Sequence, residues 1–249
     1  MHVDRAHRLV RRLKADGVQV AGIVRRVPDS SDDISWHSFD IGAPDATARH
    51  IEAFEGADAV VHAGWEIQPG RDLEQLYRTN VQGSQHVVDA AAAAGSPVLV
   101  YLSSVGAYSP GPKSEPVDES WPTAGIGSST YSWHKAKVER IMDDAAARTP
   151  ALRLVRFRPG LIFQRDAASE IARYFLGPYL PLSAIRRRLI PIFPSFDRLR
   201  FQAVHTDDVA AAIVLALNDP GARGAYNLAA DPVLDADQLE RTLHARPVP

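Results

Sequence analysis

Apolar positions along the 249-residue chain follow two alternating rhythms. Over 5–16 they fall at Ala6, Leu9, Val10 and Leu13, a helical spacing that puts them on one face among arginines. Gly17 ends that helix, and 18–24 follows as an apolar run read as a buried strand. Runs of the same kind recur at 57–62, 98–102 and 152–157. Between them the spacing returns to helical: an alanine-rich segment at about 80–94, closed by Gly95, and a second from Tyr131 to about Ala147. Strands alternating with helices of this length predict βαβ units and a parallel sheet. Right-handed crossovers then make the sheet doubly wound, with helices on both faces. After Pro159 the rhythm loosens, and 164–200, rich in proline, arginine and aromatics, reads as an irregular lobe. Regular patterning resumes at 201–204, in an apolar helix over about 207–217, and where Gln238–Leu243 begins another helix. The division expected is a sheet region over 1–158 and a lobe interleaved with the last strands over 159–249.

Composition narrows the chemistry. A net charge of −2 provides no basic field for nucleic acid. No run approaches the roughly 18 apolar residues of a membrane span, and the arginine-rich start lacks the apolar core of a secretory signal. The absence of cysteine excludes disulfides, thiolate metal sites and a cysteine nucleophile. The nine histidines show no ligand-like spacing, so no metal centre is expected. The expected location is the cytoplasm, and the expected partner is a small-molecule substrate.

Candidate chemistry gathers at the strand ends, where doubly wound sheets bind ligands. Tyr131 and Lys135 stand one helical turn apart, on one face of a predicted helix. A nearby ammonium favours the phenolate, drawing a tyrosine down from about 10 towards a range useful for proton transfer. Ser104, just beyond the 98–102 strand, supplies a hydroxyl for the same substrate oxygen. Together these groups suit removal of a proton from an alcohol as hydride leaves its carbon. Arg25 and Arg26 follow the first strand; Asp40 closes the 36–40 segment; Ala63, Gly64 and Trp65 follow the 57–62 strand; Arg158 and Pro159 follow 152–157.

With those motifs the chain resembles the extended short-chain dehydrogenase/reductase family, the NAD(P)-dependent epimerases and dehydratases acting largely on nucleotide sugars. The likeness runs through nearly the whole chain, at 56–62, Thr79–Gly83, Ser103–Tyr108, Tyr131/Lys135, Arg158–Phe163, Val204–Val209 and Tyr226–Leu228. It implies a Rossmann-type α/β fold with a small substrate lobe. It also implies that Tyr131 is the general base or acid, Ser104 the polariser of the substrate oxygen, and Lys135 the partner of the nicotinamide ribose. Asp40 and Ile41 would lie at the adenine, Ala63, Gly64 and Trp65 along the cofactor, and Asn80 beside it. Phe157, Arg158 and Pro159 would border the nicotinamide. Arg25 and Arg26 stand where an acidic residue usually selects NAD, so the resemblance points to NADP over NAD. Ser104, Trp65 and Arg187 are the candidates for substrate contact, and a homodimer is compatible with the family.

The sequence also departs from that pattern. The family opens with a strand and a glycine-rich turn into the first helix, which give the pyrophosphate its backbone N–H groups. Counting back from Leu9, the glycine positions fall at Val3 and Ala6, and the strand would precede Met1. The expectation is therefore an internal piece of a longer enzyme that binds cofactor weakly, with apolar strand edges left open. Several residues take plainer readings. Ser103 is a structural neighbour, His134 points off the Tyr131/Lys135 face to the surface, and His62 is a hydrogen-bonded core histidine. Asp207 or Asp208 caps a helix, and Glu115, Asp118 and Glu119 lie in a solvated loop. Two readings of function remain open: an NAD(P)-dependent oxidoreductase or epimerase, and a non-catalytic cofactor-binding sensor or scaffold.

Overall fold

The computed structural model describes residues 3–28, 34–67, 72–112, 115–163, 192–194, 199–243 and 246–248. Its centre is a four-stranded parallel sheet built of β3 (Val60–His62), β4 (Val98–Leu102), β5 (Arg153–Pro159) and β9 (Gly224–Leu228), hydrogen-bonded in the order β3-β4-β5-β9. The strand β4 shows why the run at 98–102 is apolar throughout. Leu99 and Tyr101 point to one face and Val98 and Val100 to the other, and each face is covered. On the first face lie α4 (Gly83–Ala93) and α5 (Thr130–Arg148), contributing Val87, Val88, Ala91, Val138 and Met142. On the second lies α6 (Thr206–Asn218), contributing Val209 and Ile213. Helices thus cover both faces of a parallel sheet, as the doubly wound reading expects.

The first helix, α1 (Val3–Ala15), packs against α6 through Leu9. A separate parallel pair, β1 (Ala21–Val24) and β2 (Ser35–Ser38), is followed by α2 (Ala46–Phe54), which packs on α4. Among the described residues β1 and β3 are not hydrogen-bonded to each other, so the two sheets stand apart. The remaining elements form two smaller sheets, β6 (Leu161–Phe163), β8 (Arg200–His205) and β10 (Ala230–Asp235) in one, β7 (Ile192–Pro194) and β11 (Arg246–Val248) in the other. The helix α7 (Ala236–Leu243) lies between β10 and β11 in the chain. Most of the stretch 164–200, including Arg187, falls outside the described residues. Among the described residues no helix is long and apolar enough to cross a membrane.

Two local readings need correcting. The helix expected over 80–94 begins earlier, as α3 (Leu73–Tyr77), and runs through a wide π-turn at Arg78–Gln82 before α4. Gly42 passes under that turn so closely that a Cβ there would stand 2.9 Å from the Arg78 carbonyl oxygen. The cap of α6 is not a carboxylate either. His205 Nδ1 accepts from the Asp207 N–H at 3.2 Å, and Asp207 reaches Arg8 at 3.5 Å instead.

At the other end of α6 the chain supplies a buried cap. Arg153, on β5, donates to the carbonyls of Ala216 at 2.7 Å, Leu217 at 3.2 Å and Ala222 at 3.2 Å. The Ala216 and Leu217 carbonyls have no further turn of helix to accept from, Ala222 lies in the turn beyond, and the cation also suits the negative end of the helix. Replacing Arg153 with Met is expected to destabilise the fold by about 2–4 kcal/mol, read as a lower urea midpoint. A change below about 0.5 kcal/mol would show that the cap contributes little.

Candidate active site

Three elements converge beyond the carboxyl ends of β3, β4 and β5. Ser129 caps α5, its Oγ accepting from the Ser132 N–H at 3.3 Å. Ser132 Oγ donates to the Gly106 carbonyl at 2.6 Å and accepts from the Ile126 N–H at 2.7 Å. The first turn of α5 is thereby tied to the segment just after Ser104, and Tyr131 is carried with it. Ser104 opens a short 3₁₀ turn, and its Oγ accepts from the Gly106 N–H at 3.0 Å. That bond uses a lone pair and leaves the serine O–H to donate. Gly106 separates the two hydroxyl-bearing residues, and a Cβ there would lie 2.9 Å from the Tyr131 ring and 3.2 Å from Ser104 Oγ.

Lys135 lies one turn further along α5 and is 3% exposed. Its Nζ donates to the Leu102 carbonyl at 2.8 Å and to the Tyr101 hydroxyl at 3.2 Å. It also lies 3.6 Å from the centroid of the Trp65 ring and 6.0 Å from that of Tyr131. Burial pushes the Lys135 ammonium well below its ordinary value, against the opposing pull of the Glu139 carboxylate. The Tyr101 phenol is pushed up by burial and by the charges of Glu139 and Tyr131. Trp65 meets Tyr131 edge to face at 5.9 Å, and its buried Nε1 has no hydrogen-bond partner among the described residues.

Ile41, Ala63, Gly64, Trp65, Ser104, Tyr131 and Pro159 line one cavity of ≈ 1710 Å³, which continues into the space between the two sheets. Gly64 packs on the Ile41 side chain, which also closes on Gly83. The other expected residues stand off this wall. Asn80 is buried in the π-turn and clamps the Glu66 backbone, accepting from its N–H at 2.7 Å and donating to its carbonyl at 2.8 Å. It supports the 63–67 segment from behind. Phe157 is a core residue of the α6 face, packed against Tyr226 at 5.9 Å between ring centres. The Arg158 guanidinium turns inward to Glu139. The Phe157 and Arg158 side chains thus point into the interior on opposite faces of β5, while Pro159 of the same segment lines the cavity. Asp40 Oδ1 accepts from the Gly42 N–H at 2.9 Å in a tight turn. Arg25 and Arg26 are exposed at the end of β1, with Arg25 Nη1 3.6 Å from Glu66 Oε2.

The histidines divide. His62 is buried and hydrogen-bonds Ser84 Oγ at 2.8 Å through Nε2, as the core reading expected. Burial, then the charges of Lys135 and His50, lower it to about 3. His134 is not on the surface: it is 2% exposed, packed against Tyr77 and Trp133, because the α3 end covers that side of α5. Glu115, Asp118 and Glu119 are exposed, as the solvated-loop reading expected, though the Glu119 carboxylate also accepts from the Asn227 N–H at 2.7 Å. Sequence reasoning missed Ser132, Gly106, Tyr101 and Glu139. Of these, Ser132 had a signal, a hydroxyl in the first turn of a predicted helix.

The profile of the NAD dependent epimerase/dehydratase family matches residues 6–229, and the chain belongs to that family. An uncharacterised protein of Mycobacterium tuberculosis is 28% identical over 245 residues, covering 97% of this chain and 22% of that protein. Cinnamoyl-CoA reductase 1 of Arabidopsis thaliana is 30% identical over 186 residues, 71% of this chain and 51% of that one. The chain thus spans about a fifth of the mycobacterial relative and half of the plant one. Among solved structures, UDP-glucose 4-epimerase of Thermus thermophilus in complex with NAD superposes with a TM-score of 0.76 at 19% identity, covering 98% of this chain and 82% of that one. A short-chain dehydrogenase/reductase superfamily protein of Agrobacterium tumefaciens with bound NAD gives 0.77 at 23% identity, covering 98% and 81%. These likenesses agree with the Rossmann-type fold.

The close approach of Gly106 to Tyr131 gives a test that needs no substrate. Gly106→Ala is expected to displace the Tyr131 ring, shifting its NMR resonances (assigned with Tyr131→Phe), while unfolding free energy changes by less than about 2 kcal/mol. Unmoved resonances would contradict so close a contact between the glycine and the ring.

Proposed function

We propose that the chain carries the reacting end of an NAD(P)-dependent oxidoreductase or epimerase that acts on a hydroxyl or carbonyl group. The observation that carries this reading is that Ser104, Tyr131 and Trp65 line one cavity wall, with the Lys135 amine buried directly beneath the Trp65 ring, one helical turn from Tyr131. The donor set fits a nicotinamide nucleoside. The Lys135 ammonium and the unpartnered Trp65 N–H suit ribose hydroxyls, and the Ser104 and Tyr131 hydroxyls suit a substrate oxygen. Ile41, Ala63 and Gly64 would continue the cofactor wall. When bound, the nicotinamide supplies the acceptor or donor of hydride.

The chain's own residues then have separate tasks. Ser104, held in place by the Gly106 N–H, donates to the substrate oxygen and orients it. Tyr131 takes the hydroxyl proton in oxidation and returns one in reduction. Lys135 favours the phenolate and holds the cofactor ribose. Proton transfer by a positioned side chain contributes about 10²–10⁴-fold.

Sugar nucleotides are the first substrates to assay, since one neighbouring fold is a UDP-glucose 4-epimerase. Cinnamoyl-CoA thioesters and 3β-hydroxysteroids follow, from the named activities of sequence relatives. A second reading, a non-catalytic cofactor sensor, draws support from the Trp65 indole seated over Lys135. Tyr131→Phe separates the two. The oxidoreductase reading expects turnover to fall by about 10²–10⁴-fold with cofactor affinity within about twofold. Turnover that survives Tyr131→Phe removes the assigned base.

The proposal of NADP over NAD rests on Arg25 and Arg26, both exposed at the end of β1. Arg25 is exposed while Glu66 is half-buried with its Oε2 shut away from water, and at 3.6 Å the two make no hydrogen bond, so the guanidinium keeps donors to offer a 2′-phosphate. Arg25→Ala is expected to weaken NADPH binding about tenfold or more by calorimetry and to leave NADH unchanged. Equal losses for both cofactors would contradict the preference.

A further inference from the structure

The stripe of α5 that carries Tyr131 and Lys135 continues one turn further to Glu139, whose residue exposure is 0%. Its carboxylate is saturated by donors from two strands. Ser103 Oγ donates to Oε1 at 2.6 Å, and Arg158 donates to both oxygens, through Nε at 3.0 Å and Nη2 at 2.9 Å. Arg156 Nη1 adds a fourth contact at 3.1 Å and also reaches Asp143. Arg158 passes the connection on, donating through Nη1 to the Tyr108 hydroxyl at 2.9 Å and to the Glu119 carbonyl at 2.9 Å. Tyr108 in turn donates to Asn227 Oδ1 at 2.7 Å. One side chain thus joins α5 to the ends of β4 and β5, and through Arg158 and Tyr108 to β9. Glu139 itself does not line the cavity.

Two bonds close the seam between α5 and the end of β4. Lys135 reaches the Leu102 carbonyl, and Glu139 receives Ser103 Oγ. Ser104 is the next residue after Ser103, so its placement opposite Tyr131 is set by the seam. Small displacements matter at such a site, since reacting groups misplaced by about 1 Å lose about 10²-fold in rate.

We propose that Glu139 is a positioning residue for the Ser104–Tyr131–Lys135 site, fixing α5 against the ends of β4 and β5 and holding a carboxylate charge one turn behind the lysine amine. The proposal rests on the reading of those three residues as the reacting site. Burial alone would raise the Glu139 carboxyl, but bonds from Arg158 and Ser103 and the charges of Arg158 and Arg156 outweigh it and hold it below the usual range. The groups facing Lys135 are Tyr131 and Glu139 on α5, Tyr101 on β4, the Trp65 ring, and His62 on β3, which stacks on Tyr101. His62 is lowered to about 3 and carries no charge near neutrality, so Glu139 supplies the negative charge that favours the ammonium.

The test follows Lys135 by NMR of Cε-labelled lysine in the whole chain, with its resonance assigned by Lys135→Arg. Glu139→Gln is expected to lower the Lys135 titration midpoint by about one unit and to reduce turnover about tenfold or more. Arg156→Met, at the less buried partner, leaves the carboxylate less neutralised and is expected to raise the midpoint. This second variant tests the charge even if Glu139→Gln does not fold. Ser103→Ala, which removes a bond but no charge, should leave the midpoint in place and still reduce turnover. An unmoved midpoint in folded Glu139→Gln, or a downward shift in Arg156→Met, overturns the role of Glu139. Unchanged turnover in Ser103→Ala overturns the seam. Survival of turnover in Tyr131→Phe overturns the site reading instead, and the lysine titration does not depend on it.

Discussion

A lysine and a glutamate one helical turn apart, both shut away from water, hold α5 against the sheet. Burying such groups is unfavourable unless each finds partners, and both do: Lys135 on Leu102 and Tyr101, Glu139 on Ser103, Arg156 and Arg158. A hydrophobic seam of the same shape would pack as well and would be easier to form. The polar version does something a hydrophobic one cannot, because hydrogen bonds of this kind permit one register only. Tyr131 and Ser104 lie at the mouth of that seam, and their spacing is inherited from it.

The long elements were legible because their periodicity is local. The apolar run at 98–102 and the helix after Ser129 need no knowledge of distant residues, and the strand ends follow from the fold class. The same locality made Tyr131, Lys135 and Ser104 readable as a set, and the family profile covers all three. What stayed hidden depends on contacts between residues far apart in sequence. Glu139 looks like an ordinary charge on an amphipathic helix until Arg158, 19 residues on, and Ser103, 36 residues back, turn towards it. His134 looks exposed until the end of α3 covers it. The π-turn at Arg78–Gln82 has no propensity signature, since its extra residue is accommodated by packing against Gly42 and by the Asn80 clamp on Glu66. Phe157 and Arg158 were placed by motif, and the side-chain direction came from strand alternation.

Trp65 connects the site to the wider cavity. The indole lies on the Lys135 amine and against Tyr131, so it shields the amine from water and contributes to its burial. Any ligand that reaches Lys135 from the cavity must displace or slide past this ring. The loop that carries it is held from behind by Asn80 and by the Arg25–Glu66 pair. The first support is a pair of short hydrogen bonds and the second a 3.6 Å ion pair, which ties the segment carrying the indole to Arg25 at the end of β1.

The central claim is that Ser104, Tyr131 and Lys135 form the reacting end of a nicotinamide site. A crystal structure of the chain with NADPH or NADH tests it most directly. The account predicts ribose hydroxyls against Lys135 Nζ, the Trp65 indole displaced from that amine, and the nicotinamide ring facing Tyr131 and Ser104. A cofactor bound elsewhere, with the indole still seated on Lys135, would contradict it.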